Sequence, residues 1–418
     1  AHARTGPTAT SPCHAIDPVG SFTEVTAGTT PAGRQVACTS WGLRIVGVAH
    51  RGGRASWGSR IVGVAPVLPL TSSALDVRDS GTPPEPGGVE RMGNAMHVAR
   101  VVAFGGPEVL VAAEAVDPVA GPGQVLVSVA AVDTIFVETQ VRAGWGKEFF
   151  PVTPPYVPGG GIAGTVRAVG EEVEPGWVGR RVAASIGFTG AYAELAVAPV
   201  EALAVVPDEV SFVDAAALVH DGATAARLLD VTAVRPGEQV LIVGASGGMG
   251  TVLVQLAKAA GARVVGLARG QRKLDLVTEL GADAVVDPTG PDWVERTREA
   301  LGGRGADVVL DGVGGEVGLA AFSLVANGGR FSAHGAPTGG FAPVSPSEAT
   351  GLGVRLLGIG DIRPTASAHA ELIARALDAA AKEVLRTVVG ATFPLAHAAS
   401  AHEAIESRAL LGKVVITV

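Results

Sequence analysis

The stretch Val240-Leu-Ile-Val-Gly-Ala-Ser-Gly-Gly-Met-Gly250 constrains the fold more than any other part of the chain. Apolar, mostly β-branched residues run into a glycine-rich turn. The turn leads straight into Thr251-Val-Leu-Val-Gln-Leu-Ala-Lys-Ala-Ala260, a good helix former with an apolar face. Strand, glycine turn and helix, in that order, present free backbone N–H groups and a helix N-terminus to a pyrophosphate. Ser246, Gly247, Gly248, Met249 and Gly250 are the residues expected to line it. Gly247 lets the backbone approach the phosphates, and Gly250 lets the helix pack close to the strand. Ala245 stands where the GxGxxG fingerprint has its first glycine.

The residues that follow extend the pattern. Strands are expected at 263–267, 284–287, 306–310 and 330–333, with a sixth at 354–359. Helices are expected at 271–281, 293–301 and around 316–326. Apolar strands alternating with amphipathic helices form a parallel sheet covered on both faces, so the class is α/β with a doubly wound Rossmann cofactor domain. Upstream, residues 122–210 break into short β-like runs at 125–129, 164–169, 181–184 and 191–197, split by Gly and Pro. Short strands with frequent turns indicate a β-rich, barrel-like unit. Residues 366–385 read as helix and 412–418 as a terminal strand.

Length and charge narrow the function classes. A chain of 418 residues accommodates two or more domains. No stretch of about 20 apolar residues reads as a membrane span. The two cysteines are Cys13 and Cys38, which leaves no thiol for a disulfide framework or a Cys-ligated zinc in the remainder. The 32 Lys and Arg face 40 Asp and Glu, and residues 1–95 hold eight Arg against six acids, so the acidic excess lies after residue 95. An acidic body gives no electrostatic case for nucleic acid.

Residues 1–95 differ from the rest. They contain Pro, Gly, Ser and Thr throughout, without sustained periodicity. Ser40-Trp-Gly-Leu-Arg-Ile-Val-Gly-Val-Ala49 recurs as Ser56-Trp-Gly-Ser-Arg-Ile-Val-Gly-Val-Ala65, a pair too few for a stacked repeat. No charged segment leads into a single apolar core and a small-residue cleavage site, so no signal peptide is expected. The expectation is a disordered or spurious extension, with Met96 or Met92 as the natural start and a cytoplasmic protein as the product.

From Met96 onward the chain resembles the zinc-free, ζ-crystallin-like quinone oxidoreductases of the medium-chain dehydrogenase/reductase superfamily. The matching stretches include Val98-Ala-Arg-Val-Val-Ala-Phe-Gly-Gly-Pro107, Pro155-Tyr-Val-Pro-Gly-Gly-Gly-Ile-Ala-Gly164 and Gly179-Arg-Arg-Val182. Gly190-Ala-Tyr-Ala-Glu194, Ala245-Ser-Gly-Gly-Met-Gly250, Gly281-Ala-Asp283 and Ala401-His-Glu-Ala-Ile-Glu-Ser-Arg408 follow in family order. The resemblance implies a GroES-like catalytic domain at 96–221, a Rossmann NADP-binding domain at 222–355, and a catalytic-domain remainder at 356–418. It also implies a homodimer, for which residues 354–359 are the candidate sheet edge.

The resemblance supplies candidate site residues. Gly160 and Gly161 stand where zinc-dependent relatives carry a His-Glu pair, so no metal site is expected. Hydride transfer from a nicotinamide then needs positioning and stabilisation of a developing oxyanion. Glu138 matches a common active-site Asp, Ile135 replaces a frequent Asn, and Gln140 replaces a Tyr found in some members. Thr224 and His220-Asp221 fall where relatives line the nicotinamide pocket, with Glu138, Thr224 and His220 as the catalytic candidates. Ile135, Trp145 and Phe149 are expected to line the acceptor pocket, and His334 sits at a strand end beside the cofactor. Ala268 occupies the place where NAD-preferring domains carry an acid, and Arg269, Arg272 and Lys273 follow it. These cations, with Val313, Gly335 and Arg408, complete the expected NADPH-binding set. The expected activity is NADPH-dependent reduction of a quinone or related α,β-unsaturated carbonyl. The alternatives are an enoyl-thioester or alkenal reductase of a biosynthetic pathway, and a cofactor-binding protein without significant turnover.

Overall fold

The structure, a computed structural model, describes residues 95–418. Before them it describes only the backbone of β1 (His14–Ile16), β2 (Phe22–Glu24), β3 (Gln35–Ser40) and β4 (Leu43–Val48), which pair as two antiparallel hairpins. The reading of residues 1–95 as an extension otherwise lies outside the described residues.

The β-rich unit opens with the hairpin β5 (Ala95–Val101) and β6 (Leu110–Val116). Its centre is β7 (Gln124–Asp133), in which Val125, Val127 and Val129 are buried and alternate with half-buried Leu126 and Ser128. β7 pairs with β8 (Gly161–Val169) and with β10 (Leu195–Pro199). At its far end it pairs with β19 (Lys413–Thr417), the last strand of the chain. β9 (Arg181–Ser185), β11 (Leu203–Val205) and β18 (Val389–Pro394) complete a seven-stranded sheet, so the C-terminal segment closes the unit that the N-terminal strands begin. β7 runs four residues past its expected end because Ala131, Val132 and Asp133 are covered by β19 as well as β8. The strand expected at 191–197 starts only at Leu195; Tyr192 instead bonds to the hairpin through Ala99 N–H.

Helices α2 (Phe212–Leu218) and α3 (Asp221–Thr232) lead into the parallel-sheet unit. Its six parallel strands are β12 (Gln239–Val243), β13 (Arg263–Leu267), β14 (Ala284–Val286), β15 (Ala306–Asp311), β16 (Val325–Ala333) and β17 (Arg355–Leu357). They lie in the order β14-β13-β12-β15-β16-β17, the doubly wound arrangement. Every residue of β12 is buried, which is why it reads as a continuous apolar run rather than an alternation. The helix expected around 316–326 ends at Phe322, because Val325 already begins β16 against Ala306. The strand order reverses between β12 and β15, and in open sheets of this kind ligands bind at the carboxyl ends beside such a switch point. β17 is an edge of this sheet.

Candidate active site at the carboxyl edge of the parallel sheet

The glycine turn is tight wherever the protein packs against it. A Cβ on Gly250 would lie 2.2 Å from Gly244 O, so α4 (Gly248–Ala259) approaches the strand as closely as a side chain forbids. A Cβ on Gly248 would lie 2.1 Å from Asp221 Oδ2. At Gly247 the nearest atom would be Gly244 O at 3.6 Å, so the protein's own packing does not demand glycine there. That open face is the one an approaching phosphate needs. Gly412 N–H donates to the Ser246 carbonyl at 2.9 Å and ties the turn to the start of β19. Across the crevice, a Cβ on Gly335 would lie 2.1 Å from the backbone of Gly312, and the Val313 carbonyl accepts from Thr338 Oγ1 at 3.1 Å.

The basic residues gather beyond the end of β13. Lys273 is half-buried and donates to the Arg408 carbonyl at 2.5 Å. Its pKa is lowered by burial and then by the neighbouring charges of Arg269 and Arg408. Arg408 adopts a left-handed φ of 54°, stacks 5.3 Å above the Phe136 ring and donates to the Pro337 carbonyl. Arg269 and Arg272 are exposed, and no contact places Arg272 with the others. Asp287 is spent on the Gly270 N–H and on Thr289. None of the four cations has a carboxylate partner among the described residues.

A second charged group lies beneath the turn. Asp133 Oδ2 accepts from His220 Nδ1 at 2.6 Å and from the His220 backbone N–H at 3.2 Å. Lys413 Nζ lies 2.6 Å from Asp133 Oδ1, a charge contact without hydrogen-bond alignment, and donates to Asp221 Oδ2 at 2.9 Å. His220 Nε2 is 3.3 Å from Ser185 Oγ. Burial opposes the charge on Asp133, but Lys413 and His220 outweigh it and hold the carboxyl below its usual range. Burial likewise opposes the charge on His220, and the Asp133 bond and charge reverse the sign. Thr224, half-buried in the first turn of α3, bonds back to the His220 carbonyl through its N–H.

Glu138 starts helix α1 (Phe136–Arg142), and its Oε2 accepts from the Ile135 N–H at 3.2 Å. It is neither solvated nor at the crevice surface: it is 3% exposed and also accepts from Tyr192 OH at 2.8 Å. Tyr192 OH meets His402 Nε2 at 2.9 Å, and His402 Nδ1 faces Arg142 Nη1 at 3.3 Å. Burial and then the charge of Arg142 push His402 down to about 3, so Nδ1 is the acceptor and Nε2–H donates to the tyrosine. Burial and then Asp133 raise the Glu138 carboxyl to about 7. His334, 7% exposed, meets Ser332 Oγ at 3.3 Å, and burial lowers it to about 4.

Of the residues expected to line the acceptor pocket, Trp145 is 36% exposed and its aromatic neighbour is Phe150 rather than Phe149. Trp145 packs 6.3 Å from Phe150, and Phe150 packs edge-on to Phe188 at 4.5 Å, while Phe149 is 51% exposed. Gln140 Nε2 reaches the Ala336 carbonyl at 3.3 Å, which brings α1 onto the loop after β16. Asp133, Ser185, Tyr192, His402 and Lys413 are absent from the sequence-based set. Tyr192 and His402 lie in stretches that carry the family resemblance, Asp133 closes one apolar run and Lys413 opens another, and nothing local marks Ser185.

Zinc does not fit. Among the described residues no three His, Cys, Asp or Glu side chains gather as a metal requires. A Cβ on Gly160 would lie 1.9 Å from Gly187 O, and one on Gly161 would lie 2.7 Å from Asp133 Cβ and 3.0 Å from His220 Nδ1. The His-Glu pair of zinc-dependent relatives has no room there.

Comparison with known proteins agrees with this geometry. Residues 121–208 match the alcohol dehydrogenase GroES-like domain family, and residues 248–391 match the zinc-binding dehydrogenase family. The chain is 32% identical to the quinone oxidoreductase of Sus scrofa over 77% of its length and 97% of that protein's. It is 33% identical to a Burkholderia 2-haloacrylate reductase over 75% of its length and 96% of that protein's. Among solved structures, Escherichia coli quinone oxidoreductase complexed with NADPH superposes with a TM-score of 0.70 at 28% identity. That match covers 77% of this chain and all of the other. A mycobacterial protein complexed with NADPH gives 0.69 at 34% identity with the same coverage.

Proposed function

Because the chain belongs to the zinc-free quinone oxidoreductases of the medium-chain dehydrogenase/reductase superfamily, we propose that it is an NADPH-dependent reductase of an electron-poor acceptor, a quinone or a related α,β-unsaturated carbonyl. One observation carries the reading: Lys273, Arg408 and Arg269 converge beside an open glycine turn, and the acidic place is taken by buried Ala268. A 2′-phosphate satisfies these cations, whereas an unphosphorylated ribose has no carboxylate to meet. NADPH, when bound, supplies the hydride.

The chain's own residues hold and orient the reactants. Ser246–Gly250 would hold the pyrophosphate of NADPH, although Gly247 already donates its N–H to the Gly244 carbonyl at 3.2 Å, and Val313 and Gly335 would border the cofactor on its other side. Ile135, Trp145 and Phe150 present an apolar face to a flat acceptor, with Phe149 at the rim. His220, whose Nδ1 is held by Asp133, acts toward the acceptor oxygen through Ser185 Oγ at its Nε2, and Glu138 acts from behind by fixing the start of α1. On this reading the catalytic unit comprises residues 96–221 and 356–418, and the cofactor unit residues 222–355. Reduction of a conjugated alkene is supported by the 2-haloacrylate reductase among the relatives.

The test is NADPH oxidation against a panel of 1,4-quinones, conjugated enals and enoyl-thioesters. Turnover of at least one class is expected. Tight NADPH binding with no turnover of any would instead identify a cofactor-binding protein.

A further inference from the structure

We propose that Asp133, His220 and Ser185 form a proton relay that neutralises the oxygen of the reduced acceptor, with the Ser185 hydroxyl as the donor that touches it. The inference rests on the reductase reading above and adds the source of the second hydrogen.

Three separate elements bring the relay together. Asp133 ends β7, His220 precedes α3, and Ser185 ends β9. The 2.6 Å contact from Asp133 Oδ2 fixes a proton on His220 Nδ1 and turns Nε2 toward Ser185 Oγ at 3.3 Å. With Nε2 protonated and donating to Ser185, the serine O–H is free to point outward. Gly161 makes room for the imidazole, since a Cβ there would lie 3.0 Å from His220 Nδ1, whereas one on Gly160 would reach His220 Cε1 only at an ordinary 3.4 Å. Asp133 is fully buried while the His220 side chain is 17% exposed, so the chain has a sealed inner end and an open outer end. The loop that follows Ser185 carries Phe188, which packs on Phe150 of the apolar wall.

Every charged neighbour of His220 bears on its protonation. Asp133 at the end of β7 and Glu138 on α1 favour the imidazolium, and Lys413 on β19 opposes it. Asp221, next in sequence, is paired with Lys413. His369 on α10 (Ala366–Ala381) lies 5.8 Å away ring to ring and bonds to the Val219 carbonyl. The balance raises the His220 pKa even though burial acts against it.

Atoms and electrons balance as follows. The hydride carries two electrons to an acceptor carbon, and the negative charge collects on the acceptor oxygen. That oxygen forms a bond to the Ser185 proton as the Oγ–H bond breaks. Oγ then takes the Nε2 proton of His220, which is left neutral, and a solvent proton restores the imidazolium at its exposed edge. The acceptor gains one hydride and one proton, and the protein returns to its starting state.

The experiment uses the full chain with Ser185→Ala, His220→Gln and Asp133→Asn. In the cofactor-free protein, a nuclear magnetic resonance titration of the histidines should place His220 above the ordinary histidine range. The value should fall in Asp133→Asn. With NADPH, Ser185→Ala and His220→Gln should lower kcat for an α,β-unsaturated ketone about 10²-fold with KM little changed. The same variants should lower kcat far less for a nitroalkene, whose reduced product is a stable anion that needs no proton in the step. If Asp133→Asn fails to fold, the other two variants still decide the matter. Equal losses on both acceptors, or no loss on either, would overturn the relay. Failure of the unaltered protein to reduce these acceptors and every class of the panel above would overturn the reductase reading itself, and the His220 titration distinguishes that failure from one of the relay.

Discussion

Removing Arg269 and Lys273 together should separate the two nicotinamide cofactors. Lys273 is half-buried, and its pKa is lowered by burial, by Arg269 and by Arg408, so the protein itself leaves positive charge uncompensated there. A phosphate dianion relieves that repulsion and accepts charge-assisted bonds, each contributing on the order of 1.5–3 kcal/mol. Arg269 is exposed, so its share lies at the low end of that range. Lys273 also holds the Arg408 carbonyl at 2.5 Å, so its loss loosens a third cation. At 1.4 kcal/mol per decade, the double substitution should weaken NADPH binding at least about tenfold. NADH makes none of these contacts and should bind almost as before. Titration calorimetry of both cofactors on both proteins, at fixed salt, reads the difference directly. Equal losses for NADPH and NADH, or a preference of the unaltered protein for NADH, would refute the reasoning.

Three other outcomes follow from the geometry. Gly250→Ala places a Cβ 2.2 Å from Gly244 O and should weaken NADPH and NADH alike, in contrast to the cation variant, by the same calorimetry. Glu138 holds its proton up to about 7 when folded but releases it near 4.5 when unfolded. Stability should therefore fall as pH rises through that window, a cost on the order of 3 kcal/mol that is complete above it. Glu138→Gln should flatten the dependence in denaturant unfolding at pH 5 and pH 8, and an unchanged slope would count against the assignment. The edge strand Arg355–Leu357 is expected to pair with a second copy, and a sedimentation mass equal to one chain at micromolar concentration would contradict this.

The parts of this protein legible in its sequence are those set by local pattern. The glycine turn, β12 and α4 need only neighbouring residues, and the alternation of strand and helix carries the rest of the cofactor unit. Arg408 was legible only through family resemblance, since Lys273 meets it 135 positions away. The setting of Glu138 was half legible. Its place at a helix start is local and it does bond the Ile135 N–H, but its burial depends on Tyr192, 54 positions away. Tyr192 in turn meets His402 across 210 positions. The Asp133–Lys413 pair arises because β7 and β19 lie side by side, a pairing no single stretch of sequence records. Phe149 and Phe150 are adjacent in a loop without periodicity, so nothing local tells which ring turns inward.

The most direct test of the central claim follows the hydride itself. NADPH carrying deuterium at the transferable C4 position is mixed with the full chain, a metal chelator and an α,β-unsaturated ketone, and the reduced product is analysed by mass spectrometry and nuclear magnetic resonance. The account predicts one deuterium at the β-carbon for each NADP+ formed, at the same rate with and without chelator. Reduced product without deuterium, turnover that stops on chelation, or no oxidation of NADPH by any acceptor of the panel would contradict it.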